Sequence, residues 1–227
     1  MAKKHIEEIW VKELCNRIRN NEKFKKAFDG NLIIEDNVSL AHSINLNSVI
    51  SSNIDTKKDN ERLLINYNEI QNADDSIIDK WNVDIFIGSK NKNSLTPRLV
   101  IETKYHNINT HDPITYSHKV LMHKQLFKGL RYGLIIGNYN FERKEENIYI
   151  PTRVIEYGDN FDFIFLLKEE YKDEEIDYLV DIIIKNIKIS EQLENLNKDK
   201  DNRYRCIMKN IEFNPIFEES KWSYDKK

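Results

Sequence analysis

The chain contains little cysteine, proline or glycine. Its 227 residues include 2 cysteines, 4 prolines and 6 glycines. Cys15 and Cys206 do not have the spacing of metal ligands, and nothing else in the chain suggests an oxidising compartment, so we expect a reducing, cytoplasmic setting. No repeat and no proline- or glycine-rich linker divides the sequence, which predicts a single domain over residues 1–227.

Long apolar runs and a large net charge are also missing. The apolar runs span only a few residues, and the first segment, MAKKHIEEIW, mixes charges into a helical period, so neither membrane insertion nor secretion is expected. The 35 basic and 38 acidic side chains give a net charge of -3, so attraction to nucleic acid would have to come from a local surface. Without a GxxxxGK[ST] loop or a CxxC pair, ATP-driven or zinc-dependent action would need another subunit.

Apolar residues nevertheless make up 40% of the chain, enough for a closed core. Their helical periodicity predicts helices over residues 5–28, 114–130 and 173–196. Shorter apolar or alternating runs predict two strands within 31–47 and further strands over 63–70, 81–88, 98–105, 132–137, 147–150 and 161–167. This order predicts an α/β fold, with helices covering a central mixed sheet.

The centre of the chain carries the main chemical signal. Asp84 lies in the apolar strand WNVDIFIG, and Glu102 and Lys104 end the next strand, RLVIETKY. Alternation places Glu102 and Lys104 on one face and Thr103 on the other. Antiparallel pairing would bring Asp84 beside Glu102, and adjacent carboxylates indicate a hard divalent cation such as Mg²⁺ between them. The Thr103 carbonyl is a further candidate ligand, and Lys104 could orient an attacking water and offset phosphate charge.

An ordinary surface pair between Glu102 and Lys104 is the alternative interpretation, worth roughly 0 to 1 kcal/mol. The tripeptide alone does not exclude it. An acid followed two positions later by lysine occurs six times, starting at Asp55, Glu102, Glu142, Glu170, Glu219 and Asp225. Only Glu102 ends an apolar strand, follows a strand that carries an acid, and precedes a helix and another strand. This context favours the catalytic interpretation.

Asp84 is followed by seventeen residues, then by Glu102-Thr103-Lys104, a helix and the strand YGLIIG. This order resembles the PD-(D/E)XK superfamily, which includes many type II restriction endonucleases. The resemblance covers roughly residues 60–140 and the leading helix, and it departs from the motif in having no proline before Asp84. It implies a restriction-endonuclease-like catalytic core over 60–140, with an N-terminal helix in 1–30 and a C-terminal helix and tail in 173–227. It also implies that Asp84 and Glu102 bind Mg²⁺ and that Lys104 assists the water.

Many members of this family place another acid on the first helix or a preceding strand, and a polar residue near the metal. The resemblance makes Glu13 and Glu69 candidates for that acid and Gln125 a candidate for the polar residue. Each could equally be a plain surface residue. His118 and His123 are five positions apart, on different helix faces, which argues against zinc ligation and favours phosphate contacts or structural roles.

A basic stripe is predicted beside the site. Lys124, Lys128 and Arg131 lie at helical spacing on one face of the helix that starts near residue 114. Such a stripe would position DNA through its phosphates without reading its sequence. Lys90 and Lys92, in the loop between the two central strands, are further candidate DNA contacts. A solvated surface is the alternative for each lysine.

Together these features predict a Mg²⁺-dependent endonuclease that hydrolyses phosphodiester bonds of double-stranded DNA, most like a type II restriction enzyme of host defence. A homodimer would allow both strands to be cut, and we expect no need for ATP or a membrane. Two alternatives stay open. One is a nuclease of the same core serving recombination, repair, mobile elements or RNA, and the other is a DNA-binding module without catalysis.

Overall fold

The computed structural model describes residues 2–28, 30–44, 58–59, 62–63, 78–91, 94–106, 108–127, 129–138, 152–168 and 171–198. The helices are α1 (Ala2–Asn20), α2 (Glu22–Phe28), α3 (His111–Leu126), α4 (Thr152–Tyr157) and α5 (Asp173–Lys198). The strands are β1 (Leu32–Ile44), β2 (Lys58–Asp59), β3 (Arg62–Leu63), β4 (Ile78–Asn91), β5 (Ser94–Tyr105), β6 (Arg131–Gly137) and β7 (Phe163–Leu166). Within these ranges, no helix is both long and apolar enough to cross a bilayer.

Five of the strands form one mixed sheet in the order β1-β4-β5-β6-β7, and β2 pairs with β3 separately. β1 with β4 and β4 with β5 are antiparallel, whereas β5 with β6 and β6 with β7 are parallel. All seven residues of β6 are buried, as expected for an inner strand with a parallel neighbour on each side. The predicted α/β class, with helices flanking a central mixed sheet, is confirmed.

Each face of the sheet has its own apolar core. On one face, α1, α2 and α5 cover the strand residues Ile85, Ile101 and Ile135. On the other, α3 contributes Val120 to a cluster that includes Phe86 and Val100 of the sheet. Because strand side chains alternate, the even positions next to Phe86 and Val100 face α3 as well. The acids Asp84 and Glu102 lie at those positions, so the strand pattern directs them to the α3 side.

The helix boundaries differ from the sequence prediction in two places. The segment 5–28 forms two helices, because the Asn21 side chain accepts hydrogen bonds from the N–H groups of Lys23 (2.9 Å) and Phe24 (3.4 Å) and so caps a new helix. The helix predicted over 114–130 starts at His111 and ends at Leu126. Its buried residues are Pro113, Ser117, Val120 and His123.

The strand predictions are close in the centre of the chain. Leu32–Ile44 form one long strand, where two were predicted within 31–47. Of the two central strands, the first extends to Asn91 and the second begins at Ser94, so that most of the predicted loop is strand. The short helix α4 was not predicted. Most of the strand predicted over 63–70, and all of that over 147–150, lie outside the described residues.

Candidate active site

Asp84 and Glu102 lie where β4 and β5 separate. The backbone pairing of these strands runs from Asn91 and Ser94 to Ile85 and Ile101. Beyond that point Oδ2 of Asp84 accepts hydrogen bonds from the backbone N–H of Thr103 (2.7 Å) and from its hydroxyl (2.9 Å). The carboxylate of Asp84 thus takes the place of a backbone acceptor for Thr103. This contact holds Asp84 next to Glu102, the neighbour of Thr103 in the chain.

Glu102 is a buried acid, with only 1% of its surface exposed. Its Oε1 accepts hydrogen bonds from the Tyr132 hydroxyl (2.9 Å) and from Nζ of Lys119 (3.3 Å). Burial and, next, the negative charge of Asp84 raise the pKa of Glu102 to about 7, against the lowering effect of Lys119. Two carboxylates held together out of water favour either a shared proton or a bound cation.

The oxygens that remain suit a hard divalent cation. Among the described residues, no donor contacts Oδ1 of Asp84 or Oε2 of Glu102. Within the same part of the chain, no third acid, histidine or cysteine completes a cluster of three metal-binding side chains. Mg²⁺ is commonly held by one or two carboxylates and completes its shell with water and substrate oxygens. The donor set therefore fits Mg²⁺ and does not fit a closed zinc site.

Lys104 pairs with Asp112 rather than with Glu102. Nζ of Lys104 lies 3.3 Å from Oδ1 of Asp112, and the lysine side chain is 24% exposed. Because Glu102 is buried and Lys104 has another partner, the interpretation of an ordinary Glu102–Lys104 surface pair is wrong. Thr103, predicted to face away from both, lies in the site through its amide and hydroxyl contacts with Asp84, and a role for its carbonyl as a metal ligand stays a prediction.

The start of α3 holds Asp112 in position. Oδ1 of Asn109 accepts hydrogen bonds from the N–H groups of His111 (2.8 Å) and Asp112 (3.2 Å). In return, Oδ2 of Asp112 accepts one from the N–H of Asn109 (2.9 Å). This reciprocal arrangement is a capping box, which satisfies N–H groups that a helix start leaves free. The same carboxylate thus begins the helix and positions the Lys104 ammonium.

Lys119 belongs to the site and was missed in the sequence. Its Nζ donates to the carbonyl of Asn82 (3.0 Å) and to Oε1 of Glu102 (3.3 Å). The helical period gives only part of the signal. Lys119 lies next to Val120, one of the buried residues of α3, so its long side chain can extend from beside the buried face to the sheet edge.

His123 supports the site from inside the core. Its Nδ1 lies 3.2 Å from the Tyr132 hydroxyl, and the two rings stack with centroids 5.8 Å apart. Burial lowers the pKa of His123 to about 4, so its ring is neutral at physiological pH. The Tyr132 hydroxyl uses its hydrogen to donate to Glu102, so its oxygen can only accept from His123. We therefore place the ring hydrogen of His123 on Nδ1, which donates to the tyrosine oxygen. The sequence predicted either phosphate contacts or a structural role for this histidine, and the structural role is confirmed.

Of the other proposed side chains, the two that the structure describes make no contact with the acid pair. Glu13 is exposed on α1, beside a groove lined by Tyr105 and Tyr171, and Gln125 is exposed near the end of α3. Glu69 lies outside the described residues. A different acid of α1 approaches the site, since Oε1 of Glu7 accepts a hydrogen bond from the N–H of Tyr105 (3.1 Å), directly after Lys104.

The predicted basic stripe on the helix is wrong. The helix ends at Leu126, and Arg131 is the first residue of β6 and buried. Lys124 (2.8 Å) and Arg131 (3.0 Å) both direct their charges to the buried carboxylate of Asp162. Both charges are thus paired within the fold, and a contact of these residues with DNA stays a prediction. Lys90 is exposed near the end of β4, whereas Lys92 and Lys128 lie outside the described residues.

Comparison with known proteins gives a likeness of fold only. No family model matches the chain, and no curated protein matches it. Among solved structures, one described as the "crystal structure of pre-specific restriction endonuclease BsaWI-DNA complex" aligns with 89% of this chain and 70% of that one, at 10% identity and a TM-score of 0.45.

Proposed function

We propose that the chain is a Mg²⁺-dependent endodeoxyribonuclease of the PD-(D/E)XK type, cutting duplex DNA in the manner of a type II restriction enzyme. One observation carries this proposal. Asp84 lies at the point where β4 and β5 separate, next to the buried acid Glu102, and Lys104 follows two residues later on the same strand. This arrangement supports hydrolysis of a phosphodiester, because metal, water and phosphate charge all need groups of these types close together.

Asp84 and Glu102 would hold the metal through Oδ1 and Oε2, the oxygens to which no described residue donates, with the Thr103 carbonyl as a further ligand. A divalent cation bound there would polarise a phosphate oxygen and lower the pKa of a coordinated water. Thr103, through its two hydrogen bonds to Asp84, and Tyr132, through its hydrogen bond to Glu102, orient the carboxylates. Such support from neighbouring residues limits the rearrangement that cation binding requires.

Lys104 would supply a positive charge beside the reacting phosphate. Its ammonium, held by Asp112 and partly exposed, orients the water whose oxygen attacks phosphorus while one phosphorus–oxygen ester bond breaks. Its charge offsets the negative charge that builds on the phosphate in the transition state. Outside the site, the exposed side chain of Lys90 is the candidate phosphate contact. Lys124 and Arg131 instead pair with Asp162.

A homodimer would place two such sites on two DNA strands. The apolar face of α5 is not available for that interface, because Ile176, Leu179 and Ile183 are buried against the protein's own sheet. A dimer interface therefore has to use another surface of the chain.

Supercoiled plasmid DNA incubated with Mg²⁺, beside an EDTA control, tests the proposal. The wild-type chain should cut the plasmid into discrete fragments, and Lys104→Ala should reduce the rate by about 100-fold or more. Lys188→Ala, which changes an exposed lysine of α5, serves as the matched control and should cut like wild type. Unspecific degradation would favour a nuclease of recombination, repair or mobile elements. Absence of cleavage with Mg²⁺ and with Mn²⁺ would contradict nuclease function.

A further inference from the structure

On the premise of the proposed nuclease function, we infer that Lys119 is a second cationic catalytic residue, whose ammonium contacts the phosphate held at Asp84 and Glu102. Lys119 lies outside the Glu-x-Lys tripeptide. It is a residue of α3 and reaches Glu102 from that helix. Its contribution comes in addition to that of Lys104.

The geometry places the Lys119 ammonium beside both metal-binding strands. Nζ lies 3.0 Å from the carbonyl of Asn82, two residues before Asp84, and 3.3 Å from Oε1 of Glu102. A lysine ammonium has three N–H donors. Two of them are used by these acceptors, and the ammonium also lies 5.7 Å from the centroid of the Tyr116 ring. The ring contact is weak, so the third N–H can donate to a substrate oxygen. The side chain is 20% exposed, so it is not enclosed by the core.

A cation and the Lys119 ammonium can be present at the same time. Lys119 and Tyr132 both bind Oε1 of Glu102, and no described residue donates to Oε2 of the same carboxylate. A metal at Oε2 therefore does not have to displace Lys119. A phosphate brought to that metal would come next to an ammonium that already contacts one of the metal-binding acids.

The charge balance of the site shows why a second ammonium matters. Burial and the charges of four surrounding carboxylates raise the pKa of the Tyr116 hydroxyl; these acids are Asp84, Glu102, Asp112 and Glu7. Two ammonium groups, from Lys104 and Lys119, pair with acids of this set. With Glu102 ionised, as cation binding requires, four negative and two positive formal charges leave two negative charges, which one divalent cation balances. Without Lys119 the site would stay negative after metal binding and would repel a phosphate.

A purely structural role is the rival explanation, since Lys119 also ties α3 to β4 through the Asn82 carbonyl. Lys119→Gln separates the two roles, because its amide can still donate to that carbonyl but carries no charge. Lys119→Arg keeps the charge, and Lys188→Gln on α5 is the matched control. Each protein is assayed for plasmid cleavage in Mg²⁺, for melting temperature, and for the salt dependence of duplex DNA binding in Ca²⁺.

We expect Lys119→Gln to lower kcat by about 100-fold with a smaller change in KM, while Lys119→Arg retains more activity. The melting temperature should stay within about 3 °C of wild type. The plot of log affinity against log salt has a negative slope, and its magnitude should decrease by about 1, as for one lost phosphate contact. Cleavage within about threefold of wild type and an unchanged salt slope would overturn the inference and leave Lys119 a structural link.

Lysine acetylation of the wild-type protein gives a test that needs no variant to fold. Duplex DNA in Ca²⁺ should protect Lys119 from acetylation and leave Lys188 unprotected, and equal modification of Lys119 with and without DNA would overturn the inference. Failure of the premise looks different. In that case the wild-type chain itself neither cuts nor binds DNA, whereas failure of the inference alone leaves a nuclease that does not depend on Lys119.

Discussion

The hydroxyl of Tyr132 donates a 2.9 Å hydrogen bond to Oε1 of Glu102. Tyr132 lies opposite Val100 in the parallel pairing of β5 and β6, so its ring shares a face with Glu102, two residues further along β5. His123 supports the same hydroxyl from α3. The acid is thus oriented from inside the core, which leaves its second oxygen for a ligand from outside.

Tyr132→Phe should move the acidic limb of the cleavage rate profile to higher pH by about one unit. The substitution removes a hydrogen bond that lowers the pKa of Glu102 and keeps the ring that fills the core. The measurement is the cleavage rate in Mg²⁺ between pH 5 and 9. Tyr157→Phe, at an exposed position of α4, should leave the profile unchanged. An unmoved limb in Tyr132→Phe would show that this hydrogen bond does not control Glu102.

Glu102→Gln should stabilise the metal-free protein at pH 8. The folded-state pKa of Glu102, about 7, is above its ordinary value of 4.5, so the folded state holds a proton that the unfolded chain has lost between these two values. Wild-type stability therefore falls as pH rises from 4.5 to 7, and the glutamine variant lacks this loss. We expect a gain of about 1 to 3 kcal/mol at pH 8 and little at pH 4, from urea unfolding in EDTA. A loss at pH 8 would contradict the electrostatic account.

His123 predicts the opposite pH dependence. Its folded-state pKa of about 4 is below the ordinary 6.5, so the unfolded chain takes up a proton first as the pH falls. The stability that depends on the neutral ring is present above pH 6.5 and lost toward pH 4. His123→Gln should cost about 1 to 3 kcal/mol at pH 7.5 and reduce this acid loss, as judged by urea unfolding at several pH values. His111→Gln, at an exposed position, should unfold like wild type, and an equal acid loss in His123→Gln would assign that loss to another group.

Asp112→Asn and Asn109→Ala separate the two tasks of the α3 start. An asparagine at 112 can still accept the Asn109 N–H but cannot pair with the Lys104 ammonium, so cleavage should change while stability changes little. Asn109→Ala removes the cap itself and should cost about 1 kcal/mol of unfolding free energy. Thermal melts and cleavage rates on both variants make the comparison. Equal effects of the two variants on both quantities would show that capping and lysine positioning are not separable.

The central hairpin was predictable because its signal is local. Apolar strands with a period of two fix which side chains share a face, so the amino-acid pattern alone places Asp84 and Glu102 together. The helix after them was placed three residues late at its start and four residues long at its end. Lys119 was missed because its contact with Glu102 joins residues 17 positions apart on different elements, which no local pattern shows.

Arg131 and Lys124 show the limit of charge patterns. A basic residue on a predicted helix is expected on the surface, but the partner that draws both inward, Asp162, lies 31 residues beyond Arg131, just before β7. Pairing over such a separation depends on the crossover between β6 and β7, which no local pattern encodes. The support of Glu102 by Tyr132 and His123 depends on the same kind of contact between distant elements.

Binding of Mn²⁺, measured by its electron paramagnetic resonance signal in wild type, Asp84→Asn and Asp181→Asn, tests the central claim most directly. Mn²⁺ takes the oxygen ligands that suit Mg²⁺, and Asp181 is an exposed acid of α5 on the other side of the sheet. The acid pair predicts that wild type and Asp181→Asn bind the ion, with at least a tenfold weaker affinity in Asp84→Asn. Equal binding by Asp84→Asn, or none by wild type, would contradict a metal site at Asp84 and Glu102.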